Sequence, residues 1–227
     1  MVSVIIPVFN EENALNELIP YLEGAIKDKN AELVFVDGGS DDNTVQICKK
    51  LGKTIYLSPV KGRASQMNFG AKKCRGEILY FLHADSLPPE NFIEDILKTK
   101  DEDYIAGCYR LAFKPELPLL KLYAWFTKFD IDLFRFGDQS LFVTRKAFEK
   151  VGGFDQNLKV MEDQQIVVDM KKEGKFKIMN NAIVTSSRKY IKVGVLKLQL
   201  IFTVIVILYY LGVSQKVMSD FYSKQVQ

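Results

Sequence analysis

The sequence predicts an α/β protein built on a doubly wound, mostly parallel sheet with helices on both faces. Three observations lead there. Short runs rich in β-branched residues alternate with helix-patterned runs through the first half of the chain. Three of the strand-like runs end abruptly in polar residues. Nearly half of the 227 residues are apolar, enough to bury one sizeable domain.

Val2 to Val8 reads as a first strand, apolar on both faces as a central parallel strand must be. Asn10 is placed to cap the helix that follows. Leu15, Leu18, Ile19, Leu22 and Ile26 fall on one face of that helix, acidic residues occupy its first turn, and Pro20 weakens its middle. ELVFV gives a second strand, and DGGSDD supplies turn chemistry leading into the helix TVQICKKL. KTIYL is a third strand. ASQMNFGAKKC is a helix closed by Gly76, and EILYFL is a fourth strand. The second half is less regular: DYIAGCYRLAF and QSLFVT read as strands, separated by the aromatic helical stretch LPLLKLYAWFTKFDIDLF. With no repeat or clear linker, one compact unit is expected.

Composition narrows the function classes. A net charge of +3 with scattered basic residues argues against nucleic acid as a partner. Cys48, Cys74 and Cys108 are far apart, lack C-x-x-C spacing and read as reduced core thiols of a cytoplasmic protein. MVSVIIPVFNEE lacks a basic leader and meets acidic residues at once, so it reads as a strand and not as a signal peptide. LQLIFTVIVILYYLG is the most apolar stretch and falls just short of the ~20 residues a spanning helix needs. A buried or dimer-forming helix, a helix lying on a membrane face and a true span all remain open for it.

In a doubly wound sheet, ligands bind beyond the carboxyl ends of the parallel strands. Here those ends carry Phe9 and Asn10, then Asp37, then His83 and Asp85. Two carboxylates and an imidazole at one edge suit a hard divalent ion, Mn²⁺ or Mg²⁺, together with the phosphates it neutralises. The plainer alternative is that Asp85 caps a helix beginning near Pro88 and that His83 is a satisfied, half-buried histidine. Glu162 and Asp163 open a further helix with Ile166, Val167 and Met170 on its apolar side. They are either first-turn acids favoured by the helix dipole or a base for a hydroxyl nucleophile.

The ordered set VSVIIPVFNEE, VFVDGGSDDNT, GRASQMNFGA, YFLHADSLPP, GGFDQNLKVMEDQQIVVDMKKEG and TSSRK resembles family 2 glycosyltransferases, over roughly residues 2 to 190. These are inverting enzymes with the GT-A nucleotide-sugar fold. GRASQMNFGA, HAD, GDQ and TSSRK together look most like the small bacterial group associated with arsenosugar biosynthesis. The resemblance implies a GT-A domain over 1–190, with a small mixed sheet, and a C-terminal helical extension over 191–227 within the same compact unit. It places Pro7, Phe9, Asn10, Glu11, Asp37, Gly38, Arg63, Asn68, Ala84 and Asp85 around the nucleotide. Pro7 and Phe9 would flank the base, and Asp37 would bond its pyrimidine edge. Asp85 would be the metal residue of the D-x-D element, whose first aspartate is here His83. Asp163 matches the catalytic base, beside Glu162. Arg188 and Lys189 would offset charge on the leaving diphosphate. Gly137, Asp138 and Gln139 fall where the acceptor pocket is shaped.

The implied reaction is a metal-assisted single transfer from a nucleotide-sugar, UDP-sugar favoured, to a hydroxyl acceptor. No Q-x-x-R-W element of processive synthases occurs. The implied setting is the cytoplasm, with peripheral contact to the inner membrane face or a homodimer left open at the C-terminal segment. Two rivals from other classes stand beside it. A sugar nucleotidyltransferase would want a glycine-rich loop where this chain has FNEE. A non-catalytic nucleotide-sugar sensor or membrane-side scaffold would need the carboxylates only to bind.

Overall fold

The computed structural model describes residues 1–132, 135 and 137–226. One eight-stranded sheet organises them, in the order β3-β2-β1-β4-β7-β6-β8-β5. Its strands are β1 (Val2–Val8), β2 (Ala31–Asp37), β3 (Ile55–Leu57), β4 (Ile78–Phe81), β5 (Ser86–Leu87), β6 (Tyr104–Lys114), β7 (Leu141–Thr144) and β8 (Lys175–Ser186). β1 to β4 run parallel, so Val8, Asp37 and the residues after Phe81 emerge at one edge. Beyond β4 the sheet turns mixed: β7 is antiparallel to both β4 and β6, while β8 runs parallel to β6 and antiparallel to β5.

The period-two alternation of β1 divides two cores. Val2, Val4, Ile6 and Val8 face one layer with Leu15, Leu18, Ile19 and Leu22 of α1 (Glu12–Ile26). Ile5 faces the other, with Met67 of α3 (Arg63–Lys73) and Ile166 and Met170 of α7 (Glu162–Glu173). α3 lies so close to the sheet that a Cβ on Gly70 would stand 2.5 Å from Ile5 Cγ2. α2 (Thr44–Lys50) and α4 (Phe92–Asp101) complete the flanking layers.

Several local expectations need correction. Asn10 does not cap α1. Its backbone is left-handed at φ 55, its N–H donates to Ser40 Oγ, and its Oδ1 accepts from Asp41 N, so it ties two loops together. α1 runs unbroken through Pro20. α3 stops at Lys73, and Gly76 lies past its end, where a Cβ would meet Ser3 Oγ at 2.5 Å. α4 begins at Phe92 after Asn91, so Asp85 caps nothing. Among the described residues the aromatic stretch is α-helical over α5 (Pro118–Phe126); Thr127 then turns back, its Oγ1 accepting Leu111 N, and residues 133 and 134 of the expected helix lie outside the described residues.

The longest strand, β8, and the short helix α6 (Arg145–Lys150), whose Thr144 cap accepts Ala147 N, were not expected. All three cysteines are buried and free, as expected of core thiols. The chain ends in α8 (Arg188–Val193), α9 (Val195–Tyr210) and α10 (Gln215–Val226). Among the described residues no helix is long and apolar enough to cross a membrane, which removes the spanning alternative for α9.

Candidate active site

Two arginine-centred clusters occupy the carboxyl edge of the parallel strands. The first gathers around Arg63, at the start of α3. Its Nε donates to Glu162 Oε1 at 2.8 Å, its Nη2 stands 3.3 Å from Asp163 Oδ2, and its Nη1 faces His83 Nε2 at 3.4 Å. His83 Nδ1 in turn lies 3.0 Å from Asp138 Oδ1. The dipole of α7 favours acids in its first turn, and Glu162 and Asp163 fill it.

Charge sets the protonation states here. Glu162 is buried, and desolvation first, then the neighbouring Asp163, push its carboxyl above the usual range despite Arg63. Among the described residues its buried Oε2 has no hydrogen-bond partner. Burial and Arg63 oppose an imidazolium at His83, but Asp138 and Asp163 outweigh them and raise its pKa. Burial alone would raise Asp138, yet the His83 hydrogen bond and the charges of His83 and Arg63 hold it down.

The second cluster centres on Arg188, at the start of α8. Its Nη2 donates to both carboxylate oxygens of Glu11 at 2.6 Å and stands 3.8 Å from Asp85 Oδ2. Desolvation raises Glu11, opposed by Arg188. Among the described residues Asp85 has only Ser86 Oγ at 3.5 Å besides, which leaves its carboxylate open to a cation.

The 3₁₀ turn Gly137–Gln139 joins the first cluster from below. A Cβ on Gly137 would lie 2.1 Å from Asp163 Oδ2 and 2.8 Å from His83 Cε1. Only a residue without a side chain lets the turn pass so close. Gln139 is buried and anchors the turn through Tyr109 O, and Asp138 belongs to this turn, not to a strand. Beneath Asp163 lies a cavity of about 20 Å³ lined by His83, Arg135, Gly137, Gln139 and Phe154, room for about one water.

The structure thus brings together Glu11, Arg63, His83, Asp85, Gly137, Asp138, Glu162, Asp163 and Arg188. Other expected residues sit differently. Asn68 is buried, its Nδ2 donating to Phe154 O and its Oδ1 accepting from Phe154 N, so its amide braces the loop after Gly153. Ala84 is buried in the core and carries no polar side-chain atom. Pro7 is buried in β1, whereas Phe9 is 53% exposed and offers a free ring face. Asp37 is buried and accepts from Gly39 N and from Ser40 N and Oγ, closing the DGGS turn. Gly38 N donates to Val8 O. Lys189 turns away to Tyr222 OH.

Both nitrogens of His83 face Asp138 and Arg63, so its ring does not fit a metal beside Asp85. Among the described residues no three His, Cys, Asp or Glu side chains converge as a closed metal cage. The single carboxylate of Asp85 does suit Mn²⁺ or Mg²⁺, hard ions that take one or two carboxylates and fill their remaining positions with phosphate oxygens and water.

Two residues escaped the sequence reading. Gln66 Nε2 donates to Val8 O and Val36 O, bridging the ends of β1 and β2 where they part. Arg135 is buried, with its Nη2 on Thr127 O and its Nε without a partner among the described residues. The signal for Gln66 was its place inside GRASQMNFGA; none pointed to Arg135.

Comparison with known proteins converges on one fold. A family model described as glycosyl transferase family 2 matches residues 3–150. An uncharacterized glycosyltransferase of Rickettsia typhi is 32% identical over 189 residues, covering 73% of this chain and 57% of the relative, so the chain spans little more than half of that protein's length. TarS of S. aureus, solved in complex with UDP-GlcNAc, superimposes with a TM-score of 0.66 at 18% identity, over 82% of this chain and 58% of that one. A mannosyltransferase of Pyrobaculum calidifontis, in complex with GDP-Man and Mn²⁺, gives 0.65 at 20%, over 81% and 56%. The architecture is that of the GT-A glycosyltransferases.

Proposed function

The chain belongs to glycosyltransferase family 2, and on that footing we propose that it transfers a sugar from a UDP-sugar to a hydroxyl acceptor by one displacement with inversion. The observation that carries the proposal is the convergence of Asp163, held by Arg63, with Asp85 and Arg188 at a single sheet edge. A base, a metal-binding carboxylate and a cation for the leaving group stand where the fold binds ligands.

In this reading residues 1–190 form the transferase body and 191–227 an extension of it. Asp163 accepts the acceptor's proton as the acceptor oxygen bonds to the anomeric carbon. The bond from that carbon to the diphosphate oxygen breaks, and its electron pair leaves with the diphosphate. Arg63, with Nη2 3.3 Å from Asp163 Oδ2, holds that carboxylate in place beside the acceptor. Arg188 exchanges Glu11 for the departing diphosphate, a guanidinium being suited to both. Asp85 would hold a divalent ion, which supplies charge neutralisation of the diphosphate when bound. Phe9 stacks on the base, Asp37 shapes the turn beneath it, and the 137–139 turn borders the acceptor. The narrower placement among the arsenosugar-associated group rests on the four motifs GRASQMNFGA, HAD, GDQ and TSSRK alone.

Release of UDP from a panel of UDP-sugars, with water or an added alcohol as acceptor, tests the proposal. Asp163→Asn is expected to abolish release while sparing UDP binding. Near wild-type release by that variant would remove Asp163 as the base.

A further inference from the structure

α9 is apolar on most of its circumference, with Lys197, Gln199 and Thr203 as its polar side chains, a pattern that ordinarily belongs to a mostly buried helix. Among the described residues one of its faces is covered: Leu198, Ile201 and Ile205 pack on Val160, Met161 and α10. The opposite face is an open stripe of Leu196, Leu200, Ile207 and Leu211, exposed at 70%, 65%, 53% and 72%. Their spacing of four, seven and four residues keeps them on one side of the helix.

The charge around this stripe distinguishes its occupant. Residues 188–227 carry six basic side chains and one acid, a net +5, against +3 for the whole chain, so residues 1–187 are at −2. Lys192 and Lys197 sit near the start of α9 and Lys216 just past its end, all exposed. A second copy docking by two-fold symmetry would press two such basic segments together, which like charge disfavours. An anionic surface meets both features at once: apolar side chains enter the acyl boundary while lysine heads reach the phosphates. α9 is too short to cross the bilayer, so it would lie along it.

We propose that the exposed face of α9, with Lys192, Lys197 and Lys216, docks the protein peripherally on an anionic lipid bilayer. α8 links this face directly to the site, since Arg188 opens α8 and contacts Glu11. Docking therefore brings the nucleotide edge of the sheet toward the membrane.

Flotation of the full chain with vesicles tests this without any assay of transfer, and so independently of the proposed reaction. Binding is expected to vesicles containing about a third phosphatidylglycerol and to weaken sharply on pure phosphatidylcholine and in high salt. Replacing Lys192, Lys197 and Lys216 together by Ala should weaken binding on the order of a hundredfold. Leu200→Glu with Ile207→Glu, at solvent-facing positions that leave the core intact, should abolish it while UDP affinity and melting temperature stay put. Absence of flotation with every lipid composition would overturn the proposal. So would a stable dimer that Leu200→Glu dissociates, which would assign the stripe to a second copy.

Discussion

Gly137→Ala is the most informative single substitution, because it adds one methyl group beside the proposed base. Gly137 does not have the left-handed backbone that demands glycine, so alanine carries no backbone strain there. The new Cβ would stand 2.1 Å from Asp163 Oδ2 and 2.6 Å from its Cγ, where ordinary contact is about 3.5 Å. Something must give by roughly 1 Å or more. The nearest atoms belong to the end of the aspartate side chain, the softest element in reach, so Asp163 moves and the fold does not. Overpacking of this kind costs about 1–3 kcal/mol of stability. A 1 Å displacement of a reacting group costs about 100-fold in rate. The expected result is a roughly 100-fold fall in UDP release from the UDP-sugar donor, at saturating donor, with UDP affinity by calorimetry unchanged. Wild-type release by a folded Gly137→Ala protein would refute the placement of Asp163 as the base.

Other outcomes follow from the same geometry. Asp85→Asn should weaken Mn²⁺-dependent UDP binding by at least roughly 10-fold and leave metal-free binding unchanged; equal loss in both conditions would make Asp85 structural. Asn68→Ala strips Phe154 of two buried hydrogen bonds and should cost about 2–4 kcal/mol, lowering Tm by roughly 5–10 °C without altering UDP affinity. A selective loss of UDP binding with Tm unchanged would return Asn68 to the nucleotide site. Glu162 is raised above 4.5 by burial and Asp163, so the folded chain holds a proton that the unfolded chain has released, and stability is lost as pH rises through the folded value. Glu162→Gln should therefore gain stability relative to wild type as pH rises above 4.5; a pH-independent difference in melts would contradict the assignment.

The parallel half of the sheet was legible because its signals are local. β1 is a seven-residue run with Ser3 as its one polar residue, α1 repeats its apolar positions on one face, and the three polar strand ends follow directly. β8 was not legible, since Asn180 and Asn181 interrupt its alternation where the register with β6 slips between Cys108 and Arg110. Asp85 and Asp163 could be singled out as candidates, whereas the contacts that organise the site could not. Arg63 meets Glu162 across 99 residues and Arg188 meets Glu11 across 177, distances no periodicity spans. Asn68 and Gln66 show the opposite difficulty. Both are polar residues in one motif, but burial turns their amides onto backbone groups, a direction that composition does not encode.

The central claim, that this sheet edge is a metal-assisted nucleotide site, is tested most directly by calorimetric titration of the wild-type chain with UDP and with GDP, each with and without Mn²⁺. UDP is expected to bind more tightly with Mn²⁺ than without it, and more tightly than GDP. No binding of either nucleotide under any condition would contradict it.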